Sequence, residues 1–358
     1  MKRLLPLIFA TVATFAAQEP PYTIPGKIYE STPQVITPNA GPKVDHGIDV
    51  CITADFIYWT ARMDGLSYAI TGSSDGTLNA SKGSVQYPDW RWKPGFKVGL
   101  GLNLPHDGWD IYAEYTWLHS RAWDATSINH KGILPTWDIS HLDQFSTTTA
   151  SITSARANWK VHINTFDLSL GRNYFISKFL TLRPFVGFKG SWIKQDYHVR
   201  YSVLINPLNS TLRMKNDQSY WGIGLRTGMN TAWHLTQAWS LYGDFALSAL
   251  WSQFEVDRKD TRLDEANNGG ANNPSLNTSI TVVNSSNDFH TLKGVLELGL
   301  GVRGEWWVFE DRYHFLVQAG WEEQLWINHN NLMKLHFTQS DHGDLTLQGL
   351  TIKARFDF

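Results

Sequence analysis

One cysteine, Cys51, in 358 residues excludes an intramolecular disulfide, so stability must come from the fold itself. Beyond the N-terminus no apolar run approaches the roughly 20 residues that a membrane-spanning helix needs, and no such helix is expected. There is no basic tract, and 31 Lys+Arg against 33 Asp+Glu give a formal net charge of -2, so a nucleic-acid partner has no electrostatic footing. Nucleophile-elbow, zincin, Walker and dinucleotide-binding signatures are missing from any suitable strand and helix. What the chain holds instead is 17 Trp, 13 Tyr, 18 Phe and 28 Gly, an inventory that suits an aromatic-girdled β structure better than a soluble enzyme.

Residues 1–17 read as an export signal, with a basic start at Lys2 and Arg3, an apolar stretch from Leu4 to Phe15, and small residues for cleavage at Ala16 or Ala17. No Cys lies at the cut, so a lipid-anchored start is not supported. Residues 18–47 contain Pro20, Pro21, Pro25, Pro33, Pro38 and Pro42 and few large apolar side chains, which reads as an extended linker or a plug.

From residue 48 to the end, apolar residues recur with period two, the signature of strands with one greasy face. Phe96, Val98, Leu100 and Leu102 alternate with Lys97, Gly99, Gly101 and Asn103. After a Pro105-His106-Asp107-Gly108 turn, Trp109, Ile111, Ala113, Tyr115 and Trp117 alternate with Asp110, Glu114 and Thr116. Equivalent hairpins are read around Phe166–Leu170 with Leu182–Phe188, around Trp221–Met229 with Trp239–Trp251, and around Leu292–Val302 with Tyr313–Trp321. Pro184 inside one of these strands argues against central pairing there. An opening strand from Ile52 to Tyr58 and a closing strand from Leu350 to Phe358 make ten.

Connections alternate between about four residues and long polar segments: Gly72 to Trp92, Arg121 to Lys160, Ile193 to Ser219, Ser252 to His290 and Ile327 to Gly343. Outer-membrane barrels alternate short periplasmic turns with long outer loops in this way. Tryptophans gather at strand ends rather than mid-strand: Trp109, Trp233, Trp239, Trp306 and Trp307 near the short turns, and Trp59, Trp117, Trp192, Trp221, Trp251 and Trp326 near the long ones. Indole rings favour the two membrane interfaces, whereas a soluble sandwich would bury them. The expected fold is therefore all-β, an antiparallel transmembrane β-barrel of about 10 and up to 12 strands, closed because an open sheet edge in hydrocarbon would leave backbone groups without partners. Outer-membrane lipid is its surroundings, and the terminal Phe356 and Phe358 read as the signal that hands such barrels to their assembly machinery.

Three stretches carry a family resemblance. They are Asp55-Phe56-Ile57-Tyr58-Trp59 followed by Ala61-Arg62 and Gly65-Leu66, then Trp92-Lys93-Pro94-Gly95-Phe96-Lys97-Val98-Gly99-Leu100-Gly101, then Asp107-Gly108-Trp109-Asp110 leading to Glu114-Tyr115-Thr116-Trp117. Echoes follow at Trp221-Gly222-Ile223-Gly224-Leu225-Arg226 and Gly299-Leu300-Gly301. The chain resembles the pore-forming outer-membrane proteins of Legionella and environmental chlamydiae, similar in role to the chlamydial major outer-membrane protein. The resemblance implies a pore-forming barrel in the bacterial outer membrane with no catalytic motif to carry over. A lone Cys51 departs from the Cys-rich chlamydial protein and its disulfide-linked lattice.

On this reading Lys97, Glu114, Asp167, Arg183, Lys189, Arg226, Asp244, Glu297, Arg303, Glu322, Lys353 and Arg355 line the lumen, and Trp109, Trp117, Trp192, Trp221, Trp233, Trp239, Trp251, Trp307 and Trp326 form the aromatic girdle. The inward charges nearly cancel, so cross-lumen ion pairs are expected. Gly99, Gly101, Gly187, Gly222, Gly224, Gly299 and Gly301 also face inward and are read as leaving room for water. The expectation is a narrow, weakly selective pore for ions and small hydrophilic solutes, constricted by the loops Arg121 to Lys160 and Ser252 to His290. Two alternatives stand beside it: a structural or host-adhesive barrel without a channel, and an outer-membrane hydrolase for which Ser248, Asp244 and His314 supply residue types without a spacing signal. No cofactor and no metal are expected, because His106-Asp107, His329 with His336, and Asp341-His342-Gly343-Asp344 are ordinary turn and loop residues. Porin trimers are common, but no motif here demonstrates a homo-oligomer.

Overall fold

The computed structural model describes residues 38–44, 49–73, 83–105, 107–127, 132–137, 150–205, 208–266, 279–309, 311–333 and 343–358. The export signal at 1–17 and most of the Pro-rich leader lie outside the described residues. The leader's end, 38–44, sits against the short-turn end of the molecule, where the Ala40 amide donates to the Asn173 carbonyl at 3.3 Å and Asn103 Nδ2 donates to the Pro42 carbonyl at 3.4 Å.

The strands are β1 (Val50–Met63), β2 (Ala69–Ser73), β3 (Ser84–Gln86), β4 (Trp92–Asn103), β5 (Trp109–Ser127), β6 (Gly132–Pro135), β7 (Ala150–Arg172), β8 (Tyr174–Phe175), β9 (Leu180–Ile205), β10 (Leu208–His234), β11 (Trp239–Ala266), β12 (Ser279–Val308), β13 (Tyr313–Asn330) and β14 (Gly343–Asp357). Ten of them form one ring in the order β1, β4, β5, β7, β9, β10, β11, β12, β13, β14, every neighbour antiparallel. Thirteen registered residue pairs from Cys51–Asp357 to Met63–Leu345 join β1 to β14 and close it. Among the described residues no helix is long and apolar enough to cross a membrane; the crossing is made by strands.

Strand β11 shows how the sequence drives this. Trp239, Leu241, Phe245, Leu247 and Trp251 point outward and are exposed, while Ser240, Tyr242, Ala246 and Ser248 are buried. Beyond Trp251 the alternation keeps its phase and changes its chemistry: Glu255, Asp257 and Lys259 now face outward, and Phe254 and Val256 are buried. The same inversion occurs on β9, where Val186, Phe188 and Trp192 point outward below the switch, and Tyr197, Val199, Tyr201 and Val203 point inward above it. The lower half of the barrel is thus greasy outside and polar inside, and the upper half is a water-soluble barrel with an apolar core. Trp239 and Trp251 are 12 residues apart, which at about 3.3 Å per residue and a tilt near 40° gives an apolar band about 30 Å tall, close to the hydrocarbon thickness.

This inversion corrects the loop assignments. Much of the segments Ile193 to Ser219, Ser252 to His290 and Arg121 to Lys160 is strand, extending β5, β7, β9, β10, β11 and β12 outward. Their polarity suggested loops because only one face stays apolar once the outside is water, and the inward Tyr, Val, Leu and Met are spaced by charged residues. Residues 206–207 and 267–278 lie outside the described residues. Pro184 is accommodated because the β7–β9 ladder ends at Gly171–Phe185, one residue short of it.

Three tryptophans lie elsewhere than the sequence suggested. Trp326 is 1% exposed and packs inside the upper core, because it falls on the inward phase of β13 above the switch. Trp307, 40% exposed, follows the inward phase at the end of β12, where its ring lies tilted against buried His314 at 4.7 Å, while its neighbour Trp306 packs edge-on against outward Trp239 at 5.9 Å. Trp59, also read near the outer belt, is buried and donates from Nε1 to Thr351 Oγ1 at 3.1 Å.

A charge placed midway along the apolar band should therefore cost far more than one placed above it. Phe245→Arg is expected to destabilise the barrel refolded in liposomes by about 2–4 kcal/mol, and Glu255→Arg, on the same face of the same strand, by no more than about 0.5 kcal/mol. Urea unfolding followed by tryptophan fluorescence measures both; equal losses would contradict the assigned membrane band.

Candidate functional site

Period-two alternation delivers all twelve sequence-assigned interior residues to the inner face. Lys97, Glu114, Asp167, Lys189, Arg226, Glu297, Glu322 and Lys353 meet at membrane depth. Lys97 Nζ lies 2.5 Å from Glu322 Oε2 and 3.8 Å from Glu114. Lys353 Nζ lies 3.2 Å from Glu114 and 3.3 Å from Asp55. Lys189 Nζ lies 2.7 Å from Asp167 and 3.1 Å from Glu297, and Arg226 Nη2 reaches Glu297 at 2.8 Å while its Nε lies 3.5 Å from Asp167. Several of these pairs join strands that are not neighbours: Lys97 on β4 to Glu322 on β13, Lys353 on β14 to Glu114 on β5, Lys189 on β9 to Glu297 on β12. They cross the interior.

A second layer lies nearer the short turns. Arg183 holds the Asp110 carboxylate through Nε, 3.0 Å to each oxygen, and through Nη2, and its Nη1 donates to Asn230, whose amide donates to Asp244 at 2.7 Å. Arg355 Nη2 donates to Asp357 Oδ1 at 2.6 Å, and His314 Nδ1 lies 2.7 Å from Asp357 Oδ2. Arg303 sits 3.6 Å from Glu305. His314 is thus bound to Asp357, and the structure does not bring it to Asp244 and Ser248.

The side chains of Lys189 and Asp55 have no exposed surface, and that of Lys97 only 7%. Charges in a water-filled channel would be wetted; here neighbours surround them. The inward glycines do not leave room for water, which corrects the expectation. The Tyr112 ring and hydroxyl occupy the space over Gly99 and Gly101, Tyr220 lies over Gly222, and Tyr242 over Gly301 and Gly320. At Gly187 and Gly224 the neighbouring strand's backbone is too close for any Cβ. Sequence reasoning missed these tyrosines, although an inward Tyr beside a glycine on the next strand is a readable signal.

Above the charged layers the outer end is filled by apolar side chains, among them Ile57, Trp59, Met63, Leu66, Tyr68, Trp137, Trp159, Tyr197, Tyr201, Phe254 and Trp326. Two chain segments enter from the rim and complete it. Tyr197 Oη donates to the Leu66 carbonyl at 2.8 Å, Tyr201 Oη to the Tyr68 carbonyl at 2.5 Å, and Trp137 Nε1 to the Ser67 carbonyl at 2.8 Å. Ladders from β2 to β3 and to β6 tie the two segments together. An inward-folding Arg121 to Lys160 connection was expected; its described part does enter, through β6 and Trp137. The contribution of Leu66–Ala69 was not foreseen. Most of what remains of the connection from Ser252 to His290 lies outside the described residues.

Seven girdle tryptophans stand on the outer face: Trp192, Trp221, Trp233, Trp239 and Trp251 exposed, Trp109 and Trp117 partly so. Trp92, Trp321 and Tyr58 join the outer belt, Trp92 stacking on Tyr58 at 5.8 Å and meeting Trp321 edge-on at 5.6 Å. Phe356 stacks on Tyr313 at 5.5 Å in the opposite belt, next to Phe358. Among the described residues no group of three or more His, Cys, Asp or Glu is placed to hold a metal. His106, His336, Asp341 and His342 lie outside the described residues; Asp107 pairs with Arg172 at 3.0 Å. Cys51 is buried.

A closed ring of ten antiparallel strands with an apolar outer band, two aromatic belts and an ionisable interior defines an outer-membrane β-barrel. The profile of the family described as the Legionella pneumophila major outer membrane protein precursor matches residues 41–358. The chain belongs to that family, and its place is the bacterial outer membrane. No curated protein sequence matches. Among solved structures, outer membrane protease OmpT from Escherichia coli aligns at 9% identity over 86% of this chain and 96% of its own, with a TM-score of 0.35. A Pseudomonas aeruginosa FadL homologue aligns at 7% over 86% and 89%, with 0.23, and the CymD monoaromatic hydrocarbon channel at 8% over 87% and 89%, with 0.27. The assignment rests on the family match and the architecture, since structural likenesses this distant carry no further conclusion.

One buried group in the outer core gives the barrel a pH dependence. His329 is 0% exposed, sits among Tyr220, Phe254 and Trp326 at ring distances of 4.7, 5.5 and 5.8 Å, and neither ring nitrogen has a hydrogen-bond partner. Burial first, and the Lys293 ammonium second, hold its pKa down to about 3. In the folded barrel the imidazole stays neutral, whereas in the unfolded chain it takes a proton below about pH 6.5, so acidification from there toward pH 3 favours unfolding by about 1.4 kcal/mol per pH unit. His329→Phe is expected to remove that increment of slope in urea midpoints measured from pH 7 to pH 4; parallel profiles for the two proteins would refute it.

Proposed function

We propose that the protein is a narrow, gated passage for ions and small hydrophilic solutes across the outer membrane. The observation that carries this reading is the chain of charged side chains spanning the interior at membrane depth, from Asp55, Lys353 and Glu114 through Lys97 and Glu322, with Lys189, Asp167, Arg226 and Glu297 beside them. Burying ions costs several kcal/mol each, and apolar side chains of similar volume often hold a core equally well or better. A barrel that only needed filling has no use for them. An ion moving through exchanges contacts with alternating cations and carboxylates, and their near balance supports weak selectivity.

The apolar fill above the charges is the gate on this reading. Leu66–Ala69 and Trp137 stop the outer mouth, and passage requires their displacement. Hydrogen bonds to Tyr197, Tyr201 and Asp124 of the wall and the packing of Tyr68 and Trp137 hold them in place. A second reading, a structural barrel that conducts nothing, is favoured by one observation: Lys189 has no exposed surface between its two carboxylates.

Planar-bilayer recording of the refolded protein separates the two. The wild type is expected to show brief, small current steps. Tyr68→Ala combined with Trp137→Ala should raise the open fraction at least about tenfold, because truncating two buried aromatics removes several kcal/mol of gate packing. In that opened variant Lys97→Glu should move the reversal potential toward cation selectivity. Silence from both wild type and opened variant over many insertions, with the heat-modifiable gel shift of a folded barrel retained, would overturn the pore and leave the structural reading.

A further inference from the structure

The outer wall of the projecting half carries cations in register. Arg156 on β7 pairs with Arg200 on β9, and Arg200 with Arg213 on β10; one row nearer the membrane His198 pairs with Lys215, and Lys215 with Lys259 on β11. Side chains directly opposite on neighbouring strands stand about 5 Å apart, and like charges there are destabilising. Arg156, Arg200, Arg213, Lys215 and Lys259 are all exposed, and among the described residues none has a carboxylate within ion-pairing distance. They line a cleft of about 460 Å³. At Arg156 and Arg200 it meets a second of about 450 Å³, whose lining includes Thr126, Ser154 and Ser202.

Position along the strands limits what binds here. Arg200 lies eight residues beyond Trp192, Arg213 eight before Trp221, and Lys259 eight beyond Trp251. Eight residues of tilted strand place the cations about 20 Å above the outer aromatic belt, out of reach of lipid headgroup phosphates at the belt itself. Asp196, Asp217 and Asp257, in register one row below, would repel such phosphates. Two copies side by side in one membrane keep the same height, so their basic rows would face each other rather than the acidic rows. The closed barrel offers no free edge to an acidic peptide strand. What remains is a soluble anionic chain, and the outward hydroxyl and amide lining between the cations (Ser127, Ser154, Ser202, Asn158) suits a polyhydroxylated one.

We propose that this patch binds a sulfated or phosphorylated polysaccharide. The guanidinium row of Arg156, Arg200 and Arg213 takes the sulfate or phosphate groups in forked hydrogen bonds, and the neutral lining takes the sugar hydroxyls. The site lies on the outside of the barrel and is independent of whether the interior conducts.

Binding of the full chain, refolded in detergent, to four probes by isothermal calorimetry tests this: sulfated dextran, unsulfated dextran, a delipidated, phosphorylated lipopolysaccharide core oligosaccharide, and polyglutamate. A charged glycan is expected to bind in 50 mM salt and weaken in 300 mM, and unsulfated dextran is expected not to bind. Preference for the core oligosaccharide identifies the cell's own surface glycan as ligand, and preference for sulfated dextran an external one. Arg156→Gln, Arg200→Gln and Arg213→Gln together should weaken binding at least about tenfold while the heat-modifiable gel shift is unchanged. The proposal is overturned if neither charged glycan binds in 50 mM salt, if the triple variant binds as the wild type does, or if polyglutamate of equal charge binds more tightly than both glycans.

Discussion

In hydrocarbon a strand has no water to satisfy its N–H and C=O groups, so the pairing of β1 with β14 is the contact on which everything else depends. Once the ring closes, side chains have two destinations, and period two sends them there alternately. Phe56, Val98, Leu225, Leu247 and Ile352 go to lipid, and Asp55, Lys97, Arg226, Ser248 and Lys353 go inward. The outer face is settled by solvent. The inner face is settled by the space that ten strands enclose, which falls between barrels filled by side chains alone and those wide enough for a water channel.

That intermediate width explains the interior. Ion pairs reach across the ring from Lys97 to Glu322 and from Lys353 to Glu114, and Tyr112 and Tyr242 cover glycines on neighbouring strands. Lys97, Lys189, Arg226 and Lys353 are each answered by two carboxylates, which is what buried charge requires. Above the membrane the solvents exchange places, and the same alternation builds a conventional apolar core around Tyr197, Tyr201, Phe254 and Trp326. One unbroken strand such as β11 serves both halves because its phase never changes; only the chemistry at each phase does.

Much of the lower half was legible in the sequence. Ten strands, four tight turns and every interior charge named from alternation lie where period two puts them, because a membrane imposes the pattern strongly on both faces. The upper half was not legible. There, Lys194, Asp196, His198, Arg200 and Ser202 dominate by eye, and the inward Tyr197, Val199 and Tyr201 between them read as scattered apolar residues of a loop. Trp326 misled for the same reason: a tryptophan near a strand end marks the interface only on the outward phase, and it stands on the inward one. The entry of Leu66–Ala69 beneath the rim depends on contacts between residues 56 and 69 positions apart in sequence, Tyr68 Oη with Asp124 and Thr136 Oγ1 with the Ser67 carbonyl at 2.7 Å each, which no local pattern announces.

The inversion of the two faces at the outer belt is the central claim, and a cysteine scan along β11 in a Cys51→Ser background tests it most directly. With the protein in liposomes, outward positions 241, 245 and 247 should react with a lipid-soluble maleimide alone, outward positions 255, 257 and 259 with a membrane-impermeant one, and inward positions 254 and 256 with neither. Aqueous labelling at 254 and 256 that equals or exceeds labelling at 255 and 257 would contradict the account.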